Sequence, residues 1–195
     1  MNPKSFIDKH KERMLNELFD LLRIPSISAD PAYNNQVALC AEHIAAHMTD
    51  LGIQNVNIYP TKGHPIVYGD FLVDPALPTV LVYGHYDVQP ADPIELWDND
   101  PFDPIIKTND IHPEGAIFAR GACDDKGQMF MHLKAFEILQ AEGGVPCNVK
   151  FMIEGEEEVG SSNLGPFLSE HKDLLACDTI LISDTGMIAN DTPSI

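Results

Sequence analysis

Hydrophobic and polar positions divide this chain into two amphipathic helical stretches followed by a series of short apolar runs. Ile7, Met14, Leu18 and Leu21 share one face of a helix predicted over residues 5–22. It must stop before Pro25, because the residue ahead of a proline is driven out of the helical region. Val37, Cys40, Ala41, Ile44, Met48 and Leu51 recur at i, i+3, i+4 spacing and predict a second helix, with Asn34 or Asn35 as its cap and Gly52 as its stop. Both helices are expected to pack on a core through these faces.

The runs "IVYGDFLV" (66–73), "TVLVYG" (79–84), "NVKFMI" (148–153) and "DTILIS" (178–183) are bounded by turn residues. They are apolar throughout rather than alternating, which suits strands covered on both faces. Between them, "QMFMHLKAFEILQAEGG" (128–144) predicts a helix with Met129, Leu133, Phe136 and Leu139 as its inner stripe and two glycines at its end. The order implies an α/β fold, a mostly parallel mixed sheet flanked by helices. Residues 88–116, rich in Pro, Asp and Asn, read as one long loop, and loops of that length in a compact domain are usually functional or disordered. No repeat, low-complexity segment or internal linker interrupts a single domain.

Composition alters this picture little, but charge does. A chain of 195 residues with ordinary apolar content can bury one core. With 30 acidic and 12 basic side chains its formal charge is −18, which argues against nucleic acid or an anionic membrane as partner. "MNPKSFIDKHKERM" carries charges where a signal peptide needs apolar residues, and no run of about 18 apolar residues occurs. Cys40, Cys123, Cys147 and Cys177 show no C-x-x-C spacing. A cytoplasmic protein with reduced thiols is expected.

An acidic surface explains most of the charge, but not carboxylates that follow buried strands. "EGEEEVGS" (154–161) places Glu156, Glu157 and Glu158 directly after "NVKFMI". Adjacent carboxylates repel, and removing them from water costs several kcal/mol each unless a positive group meets them. The helix dipole at a helix start would account for one of the three. Likewise "TVLVYG" runs into His85 and Asp87, "DTILIS" into Asp184, and "ARGACDDKG" sets Asp124 and Asp125 ahead of a helix. Ligands of open α/β sheets collect beyond the carboxyl ends of the strands, so these side chains are expected to converge although about 100 residues separate them. One imidazole with at least four carboxylates and no thiolate suits zinc, manganese or cobalt.

His85 and Asp87 lie two apart, so in an extended segment they point to one side and Asp87 can fix the ring of His85. A lone His-x-Asp is often structural; its position at a strand end favours a ligand. His43 and His47 stand at i, i+4, but Ile44 occupies the place where a zincin helix needs glutamate, so both are expected at the surface.

"GHYDVQP" with a following "LWDNDPFDP", then "ARGACDDKG", "EGEEEVGS" and "ISDTG" resemble a known family in order and spacing. It is that of the dinuclear zinc peptidases, which include carnosinase-like cytosolic dipeptidases, acetylornithine deacetylase and succinyl-diaminopimelate desuccinylase. "GHYDVQPADPIELW" looks nearest to the carnosinase-like branch. The resemblance implies that His85 and Asp184 bind one zinc, that Asp124 bridges two ions and that Glu158 binds the second. It makes Glu157 the general base, has Asp87 orient His85, and leaves Glu156 solvated or supporting its neighbours. It also implies a cis peptide between Asp124 and Asp125.

The implied activity is hydrolysis of a dipeptide or short peptide by water activated between two divalent ions, zinc ahead of manganese or cobalt. N-acyl-amino-acid deacylation by the same site stays open. A non-catalytic metal-binding module is the competing reading from another class, and a general base at Glu157 argues against it. Members of the family are much longer, so the resemblance makes residues 1–195 the N-terminal part of the catalytic domain. The lid and dimerisation domain, the C-terminal part and a distal histidine ligand would lie elsewhere, and the full-length protein would be a homodimer. Weak or absent hydrolysis by this chain alone and an apolar sheet edge are the expected consequences.

Overall fold

A computed structural model describes residues 2–189 and 192–193 of the chain. Helix α1 (Pro3–Leu22) opens on Asn2, whose side chain accepts from Lys4 N, with a proline at the first helical position, where no N–H is needed. It thus starts earlier than its apolar stripe indicates. Helix α2 (Asn34–Asp50) is led in by a 3₁₀ turn (Pro31–Tyr33) that Asp30 caps through Ala32 N. Neither Asn34 nor Asn35 is the cap; the chain was already turning at Pro31.

Strands β1 (Gln54–Tyr59), β2 (Ile66–Phe71) and β3 (Thr79–His85) follow, then the short pair β4 (Ile105–Lys107) and β5 (Ala116–Phe118). Helix α3 (Lys126–Ala141), β6 (Asn148–Glu154), α4 (Leu164–Glu170), α5 (Lys172–Leu175), β7 (Thr179–Ile182), β8 (Met187–Ala189) and β9 (Thr192–Pro193) complete the order. The main sheet runs β1-β2-β6-β3-β7. β1 and β6 flank β2 antiparallel, whereas β3 pairs parallel with both β6 and β7. The result is the expected mixed α/β sheet flanked by helices. Because β3, β6 and β7 run the same way, their carboxyl ends lie side by side, with His85 opposite Glu154 in register.

Two apolar layers enclose the sheet. Leu21, Val37, Ile44, Met129, Leu133 and Phe136 of α1, α2 and α3 pack with Val82, Phe151 and Ile153 on one face. Ile66, Tyr68, Leu81 and Met152 meet Phe167 and Leu175 of α4 and α5 on the other. Burial of both faces explains why β2, β3 and β6 carry unbroken apolar runs.

Several expectations are corrected. The "DTILIS" run is not covered on both faces: β7 is an edge strand, with Ile180, Leu181 and Ile182 exposed at 58, 40 and 52%. Ile7 and Leu139 are also exposed; burial in α1 falls on Met14, Leu21 and Leu22, and the apolar side chains that α3 buries are Met129, Phe130, Leu133 and Phe136. Residues 88–116 are not one irregular loop, since Ile105 pairs with Phe118 and Lys107 with Ala116 in a separate ribbon. Trp97 Nε1 donates to Ala91 O, and Arg120 reaches over the Trp97 ring at 5.4 Å while donating to Pro90 O, so this segment is fastened to the body. β1 escaped the sequence reading because "QNVNIY" is half polar, as an edge strand is.

His47 is not a surface residue. It stacks on Phe130 at 5.5 Å, its Nε2 is buried without a hydrogen-bond partner, and burial pushes its pKa down to about 4.

Candidate metal centre

His85 closes β3 and is fully buried, so its imidazole must meet its partners inside the protein. Nδ1 lies 3.1 Å from the Asp87 carbonyl and 3.3 Å from Asp87 Oδ1. Nε2 has no hydrogen-bond partner. It faces Asp124 Oδ1 at 3.1 Å, Asp184 Oδ2 at 3.5 Å and Glu157 Oε2 at 3.8 Å. One ligand atom each from His85, Asp124 and Asp184 lies within 4.8 Å of the others.

Close backbone packing brings these groups together. A Cβ at Gly84 would stand 2.7 Å from Asp125 Oδ2 and 3.1 Å from Met129 Cβ, so only glycine lets the start of α3 lie this near β3. Asp125 Oδ2 then accepts His85 N at 3.1 Å, which locks the loop bearing Asp124 to the strand bearing His85. A Cβ at Gly127 would fall 2.0 Å from the Ala122 carbonyl, which keeps the same loop tight. The Asp124–Asp125 peptide is cis.

The glutamate turn after β6 is held from below. Asp87 is fully buried and accepts Glu157 N on Oδ1, Glu158 N on Oδ2 and the Ser28 hydroxyl, the last at 2.6 Å. Gln89 Nε2 donates to Glu158 Oε2 at 2.7 Å and to its carbonyl at 3.2 Å. Glu158 is therefore anchored by Gln89 and is not among the three residues whose ligand atoms cluster. Glu156 is not solvated: it is buried, and its carboxylate accepts His64 N at 3.1 Å and Asn163 Nδ2 at 2.8 Å. Glu154, also buried, accepts from Tyr83 OH and Ser161 Oγ. The repulsion of the triplet is thus relieved by sending its members to different partners.

Sequence reading missed Ser28 and Gln89, and gave Asp125 no role of its own beside Asp124. Gln89 was findable, because residues 85, 87 and 89 of an extended segment share a side. Ser28 was not, since 59 residues separate it from Asp87.

Burial opposes protonation of His85, but the hydrogen bond and charge of Asp87, joined by Asp125 and Glu157, overcome it and push the pKa up to about 10. Burial raises Asp125 to about 7 against the opposing pull of His85. Burial also raises Glu158, with Gln89 opposing and Asp124 reinforcing. An acidic pocket that draws a proton onto its one imidazole is a pocket short of positive charge. The orphaned Nε2 and the surrounding carboxylate oxygens fit a divalent cation.

Residues 81–193 match peptidase family M20/M25/M40. Over 96% of its length the chain is 33% identical to the Cys-Gly metallodipeptidase dug1 of Schizosaccharomyces pombe, of which it covers 41%. The solved dipeptidase Dug1p of Saccharomyces cerevisiae superposes with a TM-score of 0.84 and 29% identity, over 93% of this chain and 40% of that one. Human carnosine dipeptidase 1 superposes with a TM-score of 0.82 and 30% identity, over 94% of this chain and 41% of that one.

The chain belongs to peptidase family M20/M25/M40, whose members depend on metal. It spans about two fifths of the length of the curated relatives it matches.

Proposed function

We propose that this chain is the metal-binding, N-terminal part of the catalytic domain of a cytoplasmic dipeptidase. The carrying observation is His85 Nε2, buried without a hydrogen-bond partner and facing carboxylates of Asp124, Asp184 and Glu157. His85, Asp124 and Asp184 would hold one ion, and Asp124 and Glu158 would contribute to a second. Zinc suits this donor set best, with manganese or cobalt as substitutes. Such ions would supply Lewis-acid activation of water and of the scissile carbonyl.

The chain's own residues do the rest. Glu157, partly open to solvent, accepts the proton of the attacking water and returns it to the leaving amine. Asp87 sets the imidazole of His85 and the backbone of Glu157 together. A dipeptide is favoured over an N-acyl amino acid because the relatives include Cys-Gly and Beta-Ala-His dipeptidases. The formal charge of −18 speaks against nucleic acid, and no helix among the described residues is long and apolar enough to cross a membrane. For the full-length protein the family resemblance implies a homodimer.

Elemental mass spectrometry on the purified chain beside Asp124→Ala tests this reading. Two equivalents lost in the variant support the shared carboxylate, and one equivalent supports the His85 site alone. No metal in either protein defeats the reading for this chain.

A further inference from the structure

Asp124 and Asp184 reach the centre from loops 60 residues apart, and neither loop belongs to a buried strand. Asp184 stands two residues beyond β7, which sits at the sheet edge and pairs only with β3 among the described residues. Asp124 lies in the loop before α3 with a largely exposed side chain. Something other than core packing must set their separation.

One side chain touches both loops. Gln128, in the first turn of α3, donates through Nε2 to the Cys123 carbonyl at 2.7 Å and accepts on Oε1, at 3.3 Å, the Thr185 N–H, which that residue shares with the Ser183 carbonyl at 2.8 Å. Cys123 immediately precedes Asp124, and Thr185 immediately follows Asp184. One helical turn further along the same face, His132 Nε2 lies 2.7 Å from Ser183 Oγ, the residue preceding Asp184. Both chain neighbours of Asp184 are therefore tied to α3, and Gln128 also ties down the neighbour of Asp124.

We propose that Gln128 is a positioning residue for the metal site, a strut that fixes the separation of Asp124 and Asp184, with His132 as its second anchor on the Asp184 side. The assignment rests on the metal reading of these carboxylates. A primary amide suits the task because one end donates and the other accepts, so it bridges a carbonyl and an N–H without adding charge to an already acidic pocket. Metal ligands need such support, since groups that orient them typically change affinity 10–100-fold when removed.

The test compares the chain with Gln128→Met, which keeps length and loses both hydrogen bonds, and with Gln140→Met, the same change near the far end of α3. Affinity for Co²⁺ and Zn²⁺, read by competition with a chromophoric chelator, is expected to fall about tenfold in Gln128→Met alone, with an altered Co²⁺ absorption spectrum. Thermal midpoints of the two metal-free variants should agree. Affinity within twofold of wild type with an unaltered Co²⁺ spectrum in Gln128→Met overturns the assignment, as does equal weakening in Gln140→Met, which would make the effect one of helix stability. A wild-type chain that binds neither ion overturns the metal reading, and this assignment with it.

Discussion

Asp87 Oδ1 accepts the backbone N–H of Glu157 at 3.1 Å while lying 3.3 Å from His85 Nδ1. A single buried carboxylate therefore couples the imidazole at the end of β3 to the turn after β6. Replacing it by alanine strands the N–H groups of Glu157 and Glu158 and the Ser28 hydroxyl, and leaves His85 Nδ1 only the backbone carbonyl of residue 87. Leaving buried donors unpaired costs on the order of 1–3 kcal/mol each. Asp87→Ala is expected to lose about 3 kcal/mol in urea melts and at least tenfold in zinc affinity. Asp87→Asn, with one acceptor oxygen, should fall between; a melt and a zinc titration both matching wild type would remove Asp87 from this role.

Glu157 contributes a carboxylate close to the cluster while its backbone is held by Asp87. An amide of the same shape cannot take a proton. Glu157→Gln is expected to retain the metal content of wild type while dipeptide hydrolysis by the active protein drops roughly 10²–10⁴-fold. Residual turnover above about a tenth of wild type would mean that the proton goes elsewhere.

The pH dependence of the metal-free chain carries a sign that metal should reverse. With a folded-state pKa of about 10 against an ordinary 6.5, His85 keeps its proton in the folded chain over a range where the unfolded chain has released it. Its stabilisation is complete below pH 6.5 and is lost as pH rises toward 10. The slope approaches about 1.4 kcal/mol per pH unit inside that window. His85→Asn should flatten the slope. Zinc needs the neutral imidazole, so zinc affinity should instead rise with pH across the window, with proton release detectable by calorimetry in buffers of different ionisation enthalpy.

Lys126 shows how far the same motif serves the fold as well as the site. It is fully buried, and its ammonium donates to the carbonyls of Leu21 at 3.1 Å and Ile24 at 2.6 Å, closing the end of α1. Burial lowers its pKa. Lys126→Met fills the space but removes the charged donor and leaves each carbonyl only a backbone N–H, from Ile24 to Leu21 O and from Ser26 to Ile24 O, and a loss of roughly 2 kcal/mol is expected in denaturant unfolding. No change would mean that water replaces the ammonium there.

The elements that were legible in the sequence are those whose physics is local. α2 announces itself through Val37, Cys40, Ala41, Ile44 and Met48, all buried as their spacing demands. β3 and β6 do so through unbroken apolar runs that fill both layers of the core. β7 carried the same apolar signature but lies exposed at the edge, because a run of residues does not record how many neighbours its strand will have. The same blindness hid β1 and the β4–β5 ribbon, which bury little.

By itself the sequence singled out the candidates: His85, Asp87, Asp124, Glu157, Glu158 and Asp184 stand at strand ends or loop mouths, where a chain does not place charge without reason. Only the tertiary structure decided how they divide. The parallel alignment of β3, β6 and β7 brought His85, Asp124 and Asp184 within ligand range of one another, and sent Glu156 to His64 and Asn163 rather than to solvent. Asp87 was placed under the glutamate turn and Gln128 between the two aspartate loops. Those contacts depend on register and on the approach that Gly84 permits, quantities that arise only when distant segments pack, and so they leave no trace in local spacing.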